Sequence, residues 1–317
     1  MLETITIAID HGNRYMKTIN HVFPSSYVAS SNLPVTGANT LQYNSIEYAL
    51  NDKCLPQLSD KTVDERYFIL TLFAIGMELA SNPRLQKPFA TDEILFIELL
   101  IGLPLQLFRE FKDKFRAYFS NRGEITFTLN KRTYSIKIAD VYAYPQGYAA
   151  FIASRSQLIG SKVFNVIDIG GYTIDCLQVI DNMPIIELCT SLETGVNTLF
   201  HTINDRVRAK AKRPIPEKII ESILQRDPAV LAERRNQVDL VMECAGAHAS
   251  HLLSEISQKN FDLDEDKTVF VGGGSILLRQ KILDAGVVKK PVFINNVHAN
   301  VEGFLAIRDM EKRAIRA

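Results

Sequence analysis

The sequence VIDIGGY at residues 166–172 repeats the pattern of IAIDHGN at residues 7–13. In both, an apolar strand ends in an aspartate and passes through a glycine turn into an outgoing strand. The two aspartates, Asp10 and Asp168, are 158 positions apart (168 minus 10) in a chain of 317 residues. We interpret the repeat as a duplicated strand–turn–strand unit, which predicts two related lobes that each offer one glycine turn to a shared ligand.

The composition is that of a globular protein that has no excess of positive charge to attract nucleic acid. Hydrophobic residues make up 46% of the chain and charged residues 23%, and 36 basic side chains balance 36 acidic ones. Because phosphate binding normally shows as a basic excess, we expect no strong direct binding to nucleic acid. The four cysteines form no close pair and no apolar run reaches the ~20 residues that cross a bilayer, so we expect a cytoplasmic protein and no membrane association.

The apolar pattern predicts an α/β fold in two lobes. Nearly continuous apolar runs at 94–103 and 163–169 are typical of buried parallel strands, one in each half of the chain. The first predicted lobe covers residues 1–160, with a C-terminal helix within 295–317 packing back on it. The second predicted lobe covers residues 161–294.

Two further segments carry structural expectations. The stretch 22–61 is polar and punctuated by prolines, which predicts a small elaboration outside the core. A short strand at 141–144 is expected to stop at Pro145. Because proline is favoured at the first position of a helix, a helix is predicted from there to about residue 156.

The first glycine turn combines groups that bind phosphate. After Asp10, Gly12 lets the backbone approach a polyphosphate closely, and Asn13 can add a side-chain donor. Lys17, on the returning strand, supplies a positive charge for phosphate oxygens. Taken alone, the turn is also compatible with an ordinary hairpin, in which an aspartate–glycine turn is common.

The second glycine turn is the sharper signal. Within eight residues it has two acids, two glycines and a hydroxyl. Gly170 and Gly171 directly after a buried strand would cost stability in a plain hairpin, so a bound ligand is a good reason for them. We take them, with Tyr172 and Thr173, as binding residues, and we expect Asp175 to order the turn.

The ligand that these turns predict is a magnesium-bound polyphosphate. Magnesium is usually held by one or two carboxylates plus waters and phosphates, and Asp10 and Asp168 supply one carboxylate per lobe. A third cluster, Gly272, Gly273 and Gly274, follows a predicted strand and opens a helix, where a phosphate or a flat base and ribose can bind. Three glycine turns at matched points are stronger evidence than any one of them.

As a set, these motifs resemble those of the actin, sugar-kinase and heat-shock-chaperone superfamily, and most closely those of the ParM-type actins that segregate bacterial plasmids. The matching pieces lie in the family's order at residues 10–17, 144–147, 168–175 and 272–274, followed by a closing helix through Asn300 and Gly303. The resemblance implies a two-lobed, actin-like (ribonuclease H-like) fold. It also implies a cleft between the lobes that takes ATP and magnesium.

The resemblance assigns the chemistry to three side chains. Gln146 corresponds to the residue that positions the attacking water for hydrolysis of the γ-phosphate, and Asp10 and Asp168 complete the predicted catalytic set. The local pattern agrees, since it predicts Gln146 at a helix N-terminus, pointing into the cleft. A neutral glutamine orients water without removing its proton, which suits a loose transition state. The alternative is a solvated helical residue.

The chain departs from the family pattern at several positions. Asn13 stands where actin relatives usually have serine or threonine, although some bacterial segregation actins are similar to this chain in using asparagine. His11 matches no family role and is expected to face solvent or to pack. The stretch 214–218 has diverged from the family, and Lys218 is the candidate there for an adenine contact.

The resemblance implies an ATPase that assembles into filaments of its own copies and segregates plasmid or other DNA through a DNA-binding adaptor protein. Two other functions stay open. A small-molecule kinase of the same superfamily would need a carboxylate base and an acceptor pocket, which the sequence does not reveal. A non-catalytic nucleotide-binding scaffold is disfavoured by Gln146 and by the intact pair of aspartates.

Two other clusters favour ordinary structural explanations. Cys244, His248 and His251 share one face of a predicted helix but lack a fourth partner for zinc, so a packed or surface helix is favoured. The cations near the C-terminus, Arg308, Lys312, Arg313 and Arg316, are the best candidate for a local basic patch. A solvated last turn whose charges complement the helix dipole is the favoured interpretation.

Overall fold

The computed structural model describes residues 4–30, 39–51, 58, 60–83, 93–209 and 213–316. It divides the chain into two compact units, one of Met1–Ala153 with His298–Ala317 and one of Ser154–Val297. Each unit has a sheet with helices, which confirms the predicted α/β class. No helix in these described ranges is long and apolar enough to cross a membrane.

The first unit is built on a nine-stranded sheet, counted over the described residues, in the order β3-β2-β1-β7-β9-β8-β5-β6-β4. Its central strands β1, β7 and β9 run parallel, and shorter antiparallel strands extend both sides. The strands are β1 (Ile5–His11), β2 (Tyr15–Lys17), β3 (Val22–Pro24), β4 (Tyr27–Ser30), β5 (Thr40–Tyr43), β6 (Ile46–Leu50), β7 (Ile94–Leu103), β8 (Glu124–Leu129) and β9 (Arg132–Pro145). The helices are α1 (Arg66–Ser81), α2 (Leu105–Ser120), α3 (Tyr148–Ala153) and, from the end of the chain, α9 (Ala299–Arg316).

The core of this unit reaches further into the sequence than predicted. The apolar run of β7 is buried as expected, and α1 packs nearly all its side chains into the core. The expectation that 22–61 lies outside the core is wrong for its described part, because Leu41 and Tyr48 are buried. Alternation along β5 turns Leu41 to the core face while its polar neighbours stay outside, and β6 buries Tyr48 together with the alanine that follows it. The rest of that stretch, at 31–38, 52–57 and 59, lies outside the described residues.

The helix predicted to begin at Pro145 does not begin there. Residues 132–145 form one continuous strand, β9, whose parallel pairing with β7 runs to the pair Leu103 and Pro145. Gln146 extends this pairing by donating its backbone N–H to the Leu103 carbonyl at 2.8 Å. Helix α3 starts only at Tyr148. Gln146 therefore lies in the turn between strand and helix, because sheet pairing outweighs the local preference of proline for a helix start.

The second unit is built on a five-stranded sheet in the order β12-β11-β10-β13-β14, again counted over the described residues. Its strands are β10 (Val163–Ile169), β11 (Ile174–Ile180), β12 (Met183–Leu192), β13 (Lys267–Val271) and β14 (Pro291–Phe293). Its helices are α4 (Val196–Arg208), α5 (Glu217–Leu224), α6 (Pro228–Glu233), α7 (Arg235–Gln258) and α8 (Gly273–Ala285). The buried strand predicted at 163–169 is confirmed as β10. No element was predicted at 183–192, where the structure has the edge strand β12, much of it partly exposed.

The last helix, α9, packs against α3 with almost no space between the two backbones. A side-chain Cβ on Gly303 would overlap the carbonyl of Ala149 and lie 2.8 Å from its Cα. One turn earlier, the Asn300 side chain accepts a hydrogen bond from the backbone N–H of Gly147 at 2.9 Å. Helix α9 thereby holds the turn that carries Gln146.

A buried carboxylate anchors the far end of α9. Glu98 on β7 accepts hydrogen bonds from Arg308 at 2.7 and 3.0 Å and from Lys312 at 2.6 Å, and Thr6 donates to it at 2.7 Å. The Arg308 guanidinium also lies 3.6 Å from the ring centre of Tyr142. Burial raises the pKa of Glu98, but the hydrogen bonds from Lys312, Arg308 and Thr6 outweigh burial and lower it. The interpretation of a solvated last turn is therefore wrong for Arg308 and Lys312.

Replacing Arg308 with methionine should lower the free energy of unfolding by about 2–4 kcal/mol, because it leaves the buried Glu98 with one cation fewer. The matched control is Arg313→Met on the same helix, since Arg313 is 79% exposed in its pair with Asp309. That change should cost no more than about 0.5 kcal/mol. Urea unfolding at neutral pH measures both, and equal effects of the two substitutions would refute the anchor.

Candidate functional site

The first glycine turn joins β1 to β2 in a tight hairpin. Asp10 pairs with Lys17 and His11 with Met16 across the two strands. A Cβ on Gly12 would overlap the carbonyl oxygen of Tyr15, so the turn requires glycine at this position. The backbone of Gly12 therefore packs directly against that of Tyr15, and the hairpin places the residues of β1 opposite those of β2.

The structure brings three of the predicted site residues of this unit together. The buried carboxylate of Asp10 accepts a hydrogen bond from the Lys17 ammonium at 3.0 Å on Oδ2 and from the Gln146 amide at 2.5 Å on Oδ1. Burial raises the pKa of Asp10, but the charge and hydrogen bond of Lys17, with the charge of Lys61, outweigh it and lower the pKa. The site therefore has an ionised carboxylate with an ammonium on one oxygen and an amide on the other.

Asn13 is oriented by a tyrosine of α1. The Tyr67 hydroxyl donates to the Asn13 side-chain oxygen at 2.7 Å. With the oxygen fixed, the NH2 group is the part of the amide that can donate to a phosphate. This is the role predicted for Asn13, and the contact itself stays a prediction.

His11, which matched no family role, packs beneath the turn and does not face solvent. Its ring is fully buried and lies 5.2 and 5.4 Å from the ring centres of Phe115 and Phe119 on α2. Its Nε2 is 2.9 Å from the Thr71 hydroxyl, which donates its own proton to the Tyr67 carbonyl. The hydroxyl must accept from His11, so the ring carries its proton on Nε2.

In the second unit, the glycine turn is held by the start of α4. The turn joins β10 to β11, and its carbonyl groups accept hydrogen bonds from backbone N–H groups of residues 195–197 at 2.7 to 3.1 Å. These carbonyls belong to Gly170, Gly171 and Tyr172. Because the C=O and N–H of a trans peptide point in opposite directions, the N–H groups of residues 171–173 point away from α4. Such a row of N–H groups can bind an anion.

A side-chain contact orders the same turn where it passes into β11. The Thr173 hydroxyl donates to Asp175 at 3.3 Å, which supports the ordering role predicted for Asp175. Asp168 and Asp175 are paired across the hairpin, and Asp168 is partly exposed. Asp168 is thus a carboxylate at the mouth of the turn with access to solvent.

The third glycine cluster lies against the second turn, in the same unit. A Cβ on Gly272, where φ is +83°, would overlap a carboxylate oxygen of Asp168 and lie 2.7 Å from the Ile169 carbonyl oxygen. A Cβ on Gly274 would lie 2.5 Å from a methyl carbon of Ile169 and 2.6 Å from one of Val196. A Cβ on Gly273 would meet no described atom within 4 Å. Packing thus requires two of these glycines, while Gly273 borders open space at the first turn of α8.

The remaining candidates lie elsewhere. Lys218 is in the first turn of α5 and is exposed, and its contact with adenine stays a prediction. Cys244 is buried in the core of the second unit, and His251 pairs with Glu255 at 3.4 Å. Over the described ranges, no three histidine, cysteine or acidic side chains are grouped so that they could hold a metal ion.

One residue near the turn was not found from the sequence. Lys61 is buried under the first turn, in a stretch that was interpreted as polar elaboration. A single lysine between a serine–aspartate pair and a threonine gives no periodic or motif signal. Only the folded chain shows where its ammonium lies.

The buried His11 should make the protein less stable in acid. Burial, with the charge of Lys61, lowers the pKa of His11 from 6.5 to about 3. Between these values the unfolded chain binds a proton that the folded chain does not, so the free energy of unfolding should fall as the pH falls, by about 1.4 kcal/mol per pH unit from this group. In His11→Gln, urea unfolding between pH 4 and 6 should show a shallower slope. His201→Gln, on the exposed side of α4, is the control, and an unchanged slope in His11→Gln would contradict the prediction.

The third cluster predicts opposite outcomes for adjacent glycines. Gly274→Ala should lower the free energy of unfolding by about 1–3 kcal/mol, because its methyl group enters the packing against Ile169 and Val196. Gly273→Ala should fold with wild-type stability or slightly better, since alanine favours a helix over glycine. Thermal and urea unfolding of the two variants measure the difference. Equal losses of stability would show that Gly273 is also packed.

Sequence-family and structure comparisons bear on the whole chain. Residues 8–148 match the family model described as the N-terminal domain of actin-like proteins, and residues 166–284 match the C-terminal domain of archaeal MreB-like actin homologues. A search of curated proteins found no match.

Solved structures with the same fold come from archaea and bacteria. The archaeal actin homologue Ta0583 matches at 19% identity and a TM-score of 0.75, covering 98% of this chain and 100% of its own, and it has also been solved in complex with ADP. The apo ParM protein of pSK41 matches at 13% identity and a TM-score of 0.68, covering 98% and 99%. The subunit of a 15-stranded ParM filament from Clostridium botulinum matches at 17% identity and a TM-score of 0.70, covering 98% and 100%.

At these identities the solved structures establish the fold, and the two family models, which lie end to end along most of the chain, establish the lineage. With its duplicated aspartate–glycine turns and its actin-like N-terminal and MreB-like C-terminal domains, this chain belongs to the actin-like ATPase superfamily.

Proposed function

We propose that this chain is an ATPase that assembles into filaments in the cytoplasm and segregates plasmid or other DNA through an adaptor protein. The observation that carries the proposal is the constellation on the first turn, where Lys17 and Gln146 bind the two carboxylate oxygens of Asp10. An ionised acid and an ammonium at this glycine turn, with a neutral amide brought to it from the end of β9, are the groups that binding and hydrolysing a nucleoside triphosphate require.

The described groups fit ATP. The N–H groups of residues 171–173 and the side chains of Lys17 and Asn13 are donors suited to phosphate oxygens. Gly273 leaves open space at the start of α8, where the adenosine would lie. The archaeal homologue solved with ADP supports a nucleotide as the ligand. Lys218 would add an adenine contact from α5.

The two aspartates suit a magnesium ion. Asp10 stays ionised, and Asp168 is a partly exposed carboxylate on the other turn, so both have the oxygen chemistry that this cation prefers. Bound with ATP, magnesium would neutralise charge on the phosphates. We assign the ion to these two residues, directly or through water.

Gln146 would orient the attacking water. Its amide NH2 group is engaged by Asp10, so its side-chain oxygen is the group that can accept a hydrogen bond from a water molecule. The Asn300 contact and the backbone pairing with Leu103 fix the turn on which it stands. A fixed amide positions water without changing its own charge, which matches the role that the family resemblance implies for this residue.

Assembly and DNA segregation rest on the relatives and on charge. One of the structural neighbours is the subunit of a ParM filament, and a head-to-tail contact that does not close generates such an open polymer. The zero net charge of this chain favours an indirect link to DNA, through an adaptor. Binding of ATP would favour assembly, and hydrolysis would weaken it, as a shift between two populations.

The two alternatives predict different behaviour in solution. A small-molecule kinase would transfer phosphate to an added sugar or acid and would not pellet with ATP. A scaffold would bind ATP without releasing phosphate. The match to filament subunits over the whole length of the chain favours the assembling ATPase over both.

The proposal predicts nucleotide-dependent assembly. Wild-type protein at tens of micromolar should scatter light and pellet with ATP and magnesium, and should do so less with ADP or without nucleotide.

Asp168→Ala should retain the fold, because the carboxylate is partly exposed, and should lose magnesium-dependent hydrolysis. Cys244→Ser should keep wild-type hydrolysis as a control away from the turns. A wild-type protein that stays monomeric in varied salt would count against the filament, and normal hydrolysis by Asp168→Ala would remove Asp168 from the site.

Gln146→Ala separates catalysis from assembly. It removes a group that acts on the water, so hydrolysis should fall by ~10²–10³ while the affinity for ATP changes little. Filaments should form with ATP and outlive wild-type filaments, because loss of the γ-phosphate is what loosens them. Phosphate release and filament lifetime are measured in one sample. Wild-type phosphate release by the variant would exclude Gln146 from the chemistry.

A further inference from the structure

Lys61 is a buried lysine beneath the first glycine turn. Only 6% of its surface is exposed, although lysine is almost never buried without a partner. It lies in the turn that precedes α1, far from any motif of the predicted site. A buried ammonium is costly to desolvate, so its contacts have to compensate for the lost water.

Those contacts are with the first glycine turn and with a tyrosine beside it. The Lys61 ammonium donates a hydrogen bond to the carbonyl of His11, the residue between Asp10 and Gly12. It also lies 5.2 Å from the ring centre of Tyr67, whose hydroxyl orients Asn13. Lys61 thus touches the backbone of the turn directly and one of its side chains through a single tyrosine.

The segment that carries Lys61 is itself tied down. The side chain of its neighbour Asp60 accepts hydrogen bonds from the backbone N–H and hydroxyl of Thr62 at 2.9 and 2.6 Å. The second oxygen of Asp60 binds Lys114 on α2. Helix α2 also supplies Phe115, which packs on the His11 ring. The ammonium is therefore held at a fixed point under the turn.

The Lys61 ammonium lies where its positive charge can attract a bound anion. The positive charge of Lys61 is among the causes that lower the pKa of both Asp10 and His11. The backbone carbonyl that the Lys61 ammonium contacts belongs to His11, the neutral residue next to Asp10 in the turn. A polyphosphate on the open side of the turn would meet the field of this second ammonium in addition to that of Lys17.

We propose that Lys61 is a positioning residue of the first phosphate turn: it holds the His11 carbonyl so that the turn keeps its phosphate-accepting shape, and it adds a second positive charge beneath bound phosphates. The inference rests on the proposed function, because it deepens the binding of ATP at this turn. Lys61 would affect the binding of phosphates through the turn, whereas a purely structural residue would affect only the stability of the fold.

The test compares ligands that differ in phosphate. Affinities for ATP, ADP and adenosine are measured by calorimetry on wild type, Lys61→Met and Lys61→Gln, with magnesium present throughout. The matched control is Lys137→Met, which removes the same charge from an exposed position on β9. Lys61→Met should weaken ATP and ADP by about tenfold or more, the scale of one lost hydrogen bond to a charged group, and leave adenosine within about twofold. Lys137→Met should change none of the three.

A purely structural role would reduce affinity for adenosine as much as for ATP, and that result would overturn the proposal, as would unchanged affinity for ATP. If Lys61→Met does not fold, Lys61→Arg and Lys61→Gln carry the comparison. The arginine should keep the preference for ATP over adenosine and the glutamine should lose it, and equal preferences in the two would overturn the proposal. Failure of the wild type to bind ATP would instead refute the proposed function.

Discussion

The buried charge of Asp10 is the constraint on which the first unit depends. A carboxylate removed from water is tolerated only where cations and donors reach it, and here Lys17 and Gln146 each take one oxygen. These two partners come from β2 and from the end of β9, which are brought beside β1 by the sheet. The order β2-β1-β7-β9 is thus what makes the ionised aspartate possible. Any ligand that engages Asp10 has to compete with, or use, the two partners already present.

Close backbone packing is the second constraint, and it acts in both units. Helix α9 approaches α3 at Gly303 so closely that no side chain fits there. In the second unit, Gly272 and Gly274 let the start of α8 lie directly against Asp168 and Ile169. Glycine therefore serves two purposes at these turns. Gly272, Gly274 and Gly303 allow close contact between elements, whereas Gly273 leaves open space beside them. Three consecutive glycines in the sequence do not show this difference.

The sequence predicted the parts that depend on local pattern. The apolar runs of β7 and β10, the duplicated aspartate–glycine turns and the helix after the third glycine cluster follow from periodicity and composition over a few residues, and the family models agree with the lineage that the motifs indicated. Predictions failed where a distant partner overrides local preference. Pro145 ends a strand because β7 pairs with it, and Tyr48 is buried because β5 and β6 complete the sheet of the first unit.

What the sequence determined by itself was the class of fold, the order of the motifs and the residue types at each turn, because each of these depends on a short stretch of chain. What only the tertiary structure decided was which atoms meet. The bond from Gln146 to Asp10 spans 136 residues, the bond from Asn300 to Gly147 spans 153, and the contacts of Glu98 with Arg308 and Lys312 span 210 and 214. The burial of His11 and Lys61 under one turn has the same origin. A hydrogen bond or a buried charge depends on distance in space, and a single sequence contains no record of that distance until the chain has packed.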